Sequence, residues 1–410
     1  MKIAIVGAGI VGVTTAYELA NDGHDVTVFE QRNAAAEESS FATAGLLAPQ
    51  LLNPWSMPGY GHALRVMGSR ATLRLAGGIN QANWAWLRRW RSAARSASAP
   101  AATLERLAQY SQTRIQAIAS RHELDFEASA GRLVLLRTAQ ERNQLQPALQ
   151  VLRDCGVEVN EIDMATARKI EPGLSPDAPL ASALHLPGAS AGNCRLFAQL
   201  LRQGTQGSGV HFAFSTRVDR ISSSPTGLAV QGHPDLLRFD AVVLCASSAC
   251  AALLPALGLR LPLAAVYGYS VSAPLREATH APLASVVDIG QQISITRLGQ
   301  RVRIAGGAEL AGADAAHHTP TLQRLYRTLN EWFPGGTQLS SGLQIWRGAR
   351  PLLPDGAPVV GASGVPGLWL NTGHGASGWA LACGCARAVA DLIAQRVPEV
   401  SLQGLEMRRF

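Results

Sequence analysis

The sequence predicts a mixed α/β and α+β chain: a parallel, helix-covered sheet gathered from three separate segments, joined to a discontinuous second domain of antiparallel strands. Three observations predict it. The chain opens as strand, glycine turn, helix and second strand, and parallel strands need such a helical crossover. Residues 263–310 hold a run of β-rich stretches with short breaks, and the tail returns to strand, glycine loop and helix. A chain of 410 residues is also too long for one ordinary core.

The elements follow in order. Residues 2–6 read as a strand, 11–21 have helical spacing, and 26–30 form a second strand. Residues 56–121, rich in Ala, Leu, Trp and Arg, read as several helices, with 96–102 as a short loop. The stretches 131–136, 157–162 and 183–188 read as strands around a helix at 139–155. A helix at 194–203 precedes strands at 211–218 and 239–246. Four strands then run through 263–273, 284–289, 291–297 and 301–307, followed by a helix at 321–332. This alternation assigns 1–80, 190–262 and 343–410 to a nucleotide-binding domain and 81–189 and 263–342 to a substrate domain.

Hydrophobic residues make up 47% and charged residues 16%, a globular rather than a disordered balance. The net charge of +7 is carried almost wholly by Arg, since Lys occurs only at Lys2 and Lys169. No basic tract with interleaved aromatics is present, so nucleic-acid binding is not expected. Cys155, Cys194, Cys245, Cys250, Cys383 and Cys385 form no CxxC pair and have no His cluster beside them. They read as buried thiols in a reducing, cytoplasmic setting, with no metal site. The apolar start reads as strand, turn and a helix carrying Tyr17 and Glu18, not as a signal peptide. Residues 241–259 lack charge but contain Ser247, Ser248 and Pro255; strand, loop and short helix is expected there, not a membrane span.

Gly7, Gly9 and Gly12 form GxGxxG directly after the first strand. The first glycine permits the tight turn, the second admits a pyrophosphate, and the third lets helix and strand pack closely. Glu30 closes the second strand, where a carboxylate accepts hydrogen bonds from ribose hydroxyls and disfavours a 2′-phosphate. The unit is therefore Rossmann-like. Two further loops argue for FAD over NAD. Residues 39–49 form a small-residue loop suited to run beside a pyrophosphate and flavin edge. Residues 373–378 form a second glycine loop opening a helix, where amides and the helix dipole favour negative charge on reduced flavin.

These residues carry a resemblance. IAIVGAGIVGVTTAYELANDGHDVTVFE, SFATAGLLAP with PWSMPG, GRLVLLRTAQE, LPGASAGNCRLFAQLL, YGYSV, ITRLGQRVRIAGGAEL, GARPLLPDGAPVVG and LWLNTGHGASGWALACG run nearly end to end. With them the chain resembles the D-amino-acid oxidase superfamily, and within it the bacterial D-amino acid dehydrogenases of small-subunit type. The first motif is shared by many flavoproteins; the YGYSV, ITR and last two motifs are more specific. The resemblance implies non-covalent FAD, oxidation of a D-amino acid to an imino acid and then a 2-oxo acid and ammonia, and electron transfer to a membrane quinone. Ser247 stands where the family commonly has glycine, and the sequence ends at Phe410, so no extra C-terminal contact is expected.

The cofactor contacts expected are Gly7, Ala8, Gly9, Ile10, Val11 and Gly12 on the first turn. Glu30, Gln31 and Arg32 follow at the second strand end. Ser39, Ser40, Thr43, Ala44, Gly45 and Leu46 lie on the small-residue loop, and Val218, Ala246, Ser247 and Gly348 farther along. Gly373, His374, Gly375, Ala376, Ser377 and Gly378 complete the set.

Arg350 matches the family's substrate arginine; a guanidinium holds a carboxylate through two parallel hydrogen bonds. The plain alternative is a surface arginine in a turn before Pro351. Tyr269 is the second catalytic candidate, as a donor to the same carboxylate; the alternative is an ordinary strand tyrosine with its ring buried. Tyr60 and Tyr267 are weaker candidates. His374 reads as a cofactor contact rather than a general base, and Asp355 and Glu309 as turn caps or partners of arginines. Direct hydride transfer from the α-carbon to flavin N5 needs no strongly placed acid or base.

Other amines, such as D-hydroxyproline, proline, glycine or sarcosine, remain alternative substrates. An NAD-linked dehydrogenase and a flavin-binding subunit without chemistry are the alternative classes. Trp84, Trp86, Trp90, Arg88, Arg89 and Arg91 crowd one helical stretch. It is read as packed on the FAD domain, with peripheral contact to the cytoplasmic face of the inner membrane as the other expectation.

Overall fold

The structure, a computed structural model, describes residues 1–56, 73–76, 81–95 and 100–410. Tyr60 and part of PWSMPG lie outside the described residues. Lys2–Val6 is buried at four successive positions, so it occupies the middle of a sheet covered on both faces. The strand order is Val359–Ala362, Leu368–Thr372, Ala241–Leu244, Lys2–Val6, Asp25–Phe29, Val210–Ala213. All neighbours are parallel except the edge strand Val359–Ala362.

Ile10–Asn21, Pro100–Arg121 and Gly378–Ile393 contribute to the core on one face of this sheet. Gly384 lets two of them meet, since a Cβ there would lie 3.0 Å from Leu107. Gly375–Ile393 is apolar and long enough to cross a membrane but is mostly buried in this core. Glu18, fully buried, pairs with Arg114 at 2.5 Å and Arg387 at 2.9 Å. One carboxylate thus ties the three helices together, as a buried charge must be paired to be tolerated. A three-stranded sheet of Val218–Ser223, Thr226–Val230 and Leu237–Arg238 covers the other face.

A second, nine-stranded sheet runs Gln344–Leu352, Ala264–Pro274, Arg301–Leu310, Ile293–Leu298, Ser285–Asp288, Ser129–Leu136, Ser182–Ala191, Asn160–Ile162, with Leu73–Leu75 added beside Arg301–Leu310. It is mainly antiparallel; Ser285–Asp288 with Ser129–Leu136, and Leu73–Leu75 with Arg301–Leu310, are parallel pairs. Thr319–Trp332 lays Leu325, Leu329 and Trp332 into its core.

Several expectations change in detail. Gln344–Leu352 and Leu73–Leu75 were read with the nucleotide part but are hydrogen-bonded into the second sheet. The tract 211–218 is two strands in different sheets, separated at Ser215 by a left-handed turn (φ 53°). The helix at 139–155 is two, Ala139–Gln144 and Gln146–Asp154, parted at Leu145, since Pro147 has no N–H to continue the first helix's ladder and sits in the first turn of the second. Met164–Ile170, capped by Asp163 on the Thr166 amide, gave no clear periodic signal. All six cysteines are free, five of them buried.

The tryptophan helix is Gln81–Arg95. Trp86 and Trp90 are buried and stacked, and Trp86 Nε1 donates to the Leu352 carbonyl at 3.0 Å. These two rings therefore face the protein and not a membrane. Trp84, 50% exposed, and Arg88, Arg89 and Arg91 face outward.

Candidate active site

A cavity of about 360 Å³ runs from the end of the first strand to the second sheet. Its first wall is the glycine turn. Gly7 has φ +103°, and a Cβ there would lie 2.8 Å from the Cys245 carbonyl oxygen. A Cβ on Gly12 would lie 1.8 Å from the Gly7 oxygen, so only glycine lets the helix start this close to the strand. Ser40 Oγ accepts the Ile10 amide at 3.0 Å, fixing the loop against the helix start. Glu30 lines the cavity and accepts the Ala8 amide at 2.7 Å and the Arg32 amide at 2.8 Å. Its remaining lone pairs are left for a ligand.

The structure brings Gly7, Gly9, Ile10, Val11, Glu30, Gln31, Ser39, Ser40, Thr43, Ala44, Gly45 and Leu46 to the cavity wall. Val218, Ala246, Ser247, Gly348, Gly373, His374, Gly375, Ala376 and Gly378 join them. Four expected contacts are not on that wall. Ala8 and Gly12 are packing positions of the turn. The Arg32 side chain turns to Glu38 at 2.8 Å. Ser377 Oγ donates to Gln50 Oε1 at 2.8 Å.

The loop around Gln50 is held from beneath. Buried Arg132 donates to the carbonyls of Pro49 (2.8 Å), Leu47 and Ser190 and to Asn53 Oδ1 (2.6 Å). Burial lowers its pKa to about 10. Glu105 accepts the amides of Gln50 at 3.1 Å and Leu51 at 3.3 Å, and burial raises its pKa to about 7.

Ser247 adopts the left-handed region, φ 51°, which glycine enters without the strain that a side chain brings. Ser39 Oγ donates to the Ala349 carbonyl at 2.7 Å and sits 3.0 Å from Ser247 Oγ. With the Ser39 proton spent, Ser247 is the donor in that pair.

At the far end Arg350, half-buried, lines the cavity. Its Nη1 donates to the Gly307 carbonyl at 2.7 Å. No carboxylate pairs with it among the described residues, and burial lowers its pKa to about 10. It stays cationic at neutral pH. Tyr269 lends its ring to the wall, but its hydroxyl donates to Glu309 Oε2 at 3.3 Å and accepts the His318 amide at 3.0 Å. Its one proton is thus committed away from a carboxylate on Arg350, which favours the buried-ring reading. Glu309 pairs with Arg74 at 2.6 Å and Arg347 at 3.1 Å. Arg347 also lies over the Tyr267 ring at 3.8 Å. Asp355 caps the Ala357 amide and pairs with Arg409 at 2.8 Å.

His374 is buried, its Nε2 has no hydrogen-bond partner among the described residues, and burial lowers its pKa to about 3. It is neutral at any working pH. Asn371 Oδ1 is likewise buried and unpartnered in this wall. Orphaned buried polar atoms cost about 1–3 kcal/mol each unless a ligand satisfies them. With the glycine cradle at the other end, they fit a long cofactor such as FAD.

Other wall residues escaped the sequence reading. Thr216 and Arg217 lay inside a tract read as one strand, and Asp219 directly follows it. Asn371 and Trp346 carried no local signal, and Gly268 stood unremarked inside YGYSV.

Comparison with known proteins agrees with this geometry. The family model for FAD dependent oxidoreductases, DAO, matches residues 2–392. The chain is 39% identical over 421 residues to D-amino acid dehydrogenase of Cereibacter sphaeroides, covering all of this chain and 95% of that one, in two strains. Its fold is similar to glycine oxidase from Geobacillus kaustophilus, with TM-score 0.77 at 21% identity, covering 100% of this chain and 98% of that one. It is equally similar to L-proline dehydrogenase from P. horikoshii, with TM-score 0.77 at 17% identity over 100% and 97%. The cradle, the cavity and the family match lead to one assignment: this chain is a member of the FAD-dependent oxidoreductase family.

Proposed function

We propose that the protein oxidises D-amino acids to 2-oxo acids and ammonia, with Arg350 holding the substrate carboxylate. The observation that carries the reading is Arg350 itself: a half-buried cation in the cavity wall, with no carboxylate of the described residues to neutralise it. A substrate carboxylate supplies the missing charge through charge-assisted hydrogen bonds. Arg350 serves any 2-amino carboxylate equally. The D-configuration rests on the 39% identical relative, which is a D-amino acid dehydrogenase.

Bound FAD supplies the hydride acceptor, its N5 atom. The chain's part is to bind and orient. Arg350 fixes the carboxylate and with it the line of the α-carbon. His374, uncharged, contributes a polar edge without a proton to give away. Amides of the 373–378 loop stand at a helix start, where negative charge is favoured. No side chain needs to take the α-hydrogen, since it leaves as hydride with the amine lone pair assisting. Water then converts the imino acid to 2-oxo acid and ammonia.

The acceptor that reoxidises the enzyme is proposed to be a quinone. Trp84, Arg88, Arg89 and Arg91 on the outward face of Gln81–Arg95 would rest on an acidic membrane. Sedimentation with anionic vesicles at low salt checks this: binding lost at high salt is expected, and no binding at either salt contradicts it.

The substrate reading is checked with Arg350→Met. Removing a charge-assisted bidentate partner worth about 3–4 kcal/mol lowers kcat/KM for D-alanine by two to three orders of magnitude. FAD content should be unchanged. A variant that keeps wild-type kcat/KM contradicts the assignment.

A further inference from the structure

Strand Gln344–Leu352 pairs with Ala264–Pro274 so that Gly348 faces Gly268 and Arg350 faces Val266. All four positions therefore share one face of the second sheet. Arg350 does not stand upright on that face. A Cβ built on Gly268 would lie 2.2 Å from Arg350 Nη2, 2.4 Å from Cζ and 2.7 Å from Nη1. The guanidinium thus crosses diagonally to the neighbouring strand and occupies the space where any other residue would carry its side chain.

The opposite neighbour of Gly268 is irregular. Register with Arg301–Leu310 runs Tyr267 to Glu309 and Tyr269 to Gly306, so Gly307 and Ala308 together oppose Gly268 in a bulge. Gly307 has φ +76°, a conformation glycine tolerates. The Gly307 carbonyl receives Nη1 at 2.7 Å. Among the described residues, nothing accepts a hydrogen bond from Nε or Nη2. That pair of donors is the edge that takes a carboxylate in a two-bond fork.

We infer that Gly268 is a positioning residue: its missing side chain is the bed on which the Arg350 guanidinium lies, with Nη1 anchored to the Gly307 carbonyl and the Nε–Nη2 edge open to the substrate carboxylate. This rests on the assignment of Arg350 as the carboxylate binder. Gly268→Ala adds one methyl. Heavy atoms separate at about 3.5–4.0 Å, so the guanidinium must shift by about 1 Å. A shift of that size can cost about 10²-fold in a positioned site.

The experiment is a double-mutant cycle on the FAD-loaded enzyme with Gly268→Ala, Arg350→Met and the pair. Two quantities are read: KM for D-alanine, and the dissociation constant of propionate, which has no amine to oxidise, followed by FAD absorbance. Gly268→Ala is expected to raise both by tenfold or more at wild-type FAD content. In the Arg350→Met background it is expected to change both by less than twofold. Equal effects in both backgrounds, or no effect in the wild type, overturn the inference while leaving Arg350's role standing. If Arg350→Met alone leaves propionate binding intact, the underlying assignment fails as well. Should Gly268→Ala prevent FAD loading, Gly268→Ala/Arg350→Gly, which removes the obstructed side chain, must restore it; failure to do so also overturns the inference.

Discussion

At the scale of single residues, charge without a partner and backbone without freedom mark the site. Arg350 was legible because GARPLLPDG carries it, but its isolation from any carboxylate of the described residues was not, since partners come from distant strands. Glu105 gave no sequence signal at all. Its environment raises its pKa from 4.5 to about 7. Between those values the folded state holds a proton that the unfolded state has released, so stability falls as pH rises from about 4.5 to 7 and levels above. Arg132 and the Gln50 and Leu51 amides oppose the shift without cancelling it. Glu105→Gln keeps an acceptor oxygen and removes the titration. Melting curves across pH 4.5–8 should show the variant gaining on wild type through that window, by at most about 1.4 kcal/mol per pH unit. Parallel curves would contradict this. Ser247 offers a second check. Ser247→Ala keeps the left-handed strain of about 1–2 kcal/mol and loses the bond to Ser39. Ser247→Gly loses the bond but relieves the strain. The glycine variant should therefore melt higher than the alanine variant, and the reverse order would show that φ 51° costs nothing here.

At the scale of elements, the Rossmann-like unit was the most legible part. Its signal is local: strand, GxGxxG, helix and acid fall within residues 2–30, although only Gly12 meets its steric limit inside that span, whereas Gly7 meets Cys245 and Gly9 meets Ser40. Gly12→Ala puts a methyl 1.8 Å from the Gly7 oxygen. The helix must then move off the strand, and the variant should purify with little or no FAD, read by absorbance near the flavin band. A yellow variant with full occupancy would mean the turn does not hold the cofactor. Strand Gln344–Leu352 was less legible. Its burial is intermediate through most of its length, so it lacks apolar alternation, and its partners lie some eighty residues back along the chain at Ala264–Pro274. The motif in it was visible, but its sheet was not. Trp86 and Trp90 taught the converse: a shared face is readable from spacing, whereas what that face meets is decided by Leu352 and the second sheet.

At the scale of the molecule, the cavity lies between two sheets whose strands interleave in sequence. Its walls combine residues from the first turn, the middle loop and the tail, so a bound FAD touches segments from across the chain. Ligand that binds only the folded state stabilises it by RT ln(1 + [L]/Kd), about 2.7 kcal/mol at a hundredfold excess over Kd. FAD-stripped protein should melt several degrees lower and recover with added FAD in a concentration-dependent way. A melting temperature indifferent to FAD would place the cofactor elsewhere.

The central claim is tested most directly by anaerobic mixing of the FAD-loaded protein with a panel of D- and L-amino acids while the flavin absorbance is followed. Bleaching by D-alanine and other D-amino acids, with the L-isomers inert, is the predicted result. A flavin that stays oxidised with every D-amino acid would contradict it and turn the search to another amine or to a subunit without chemistry of its own.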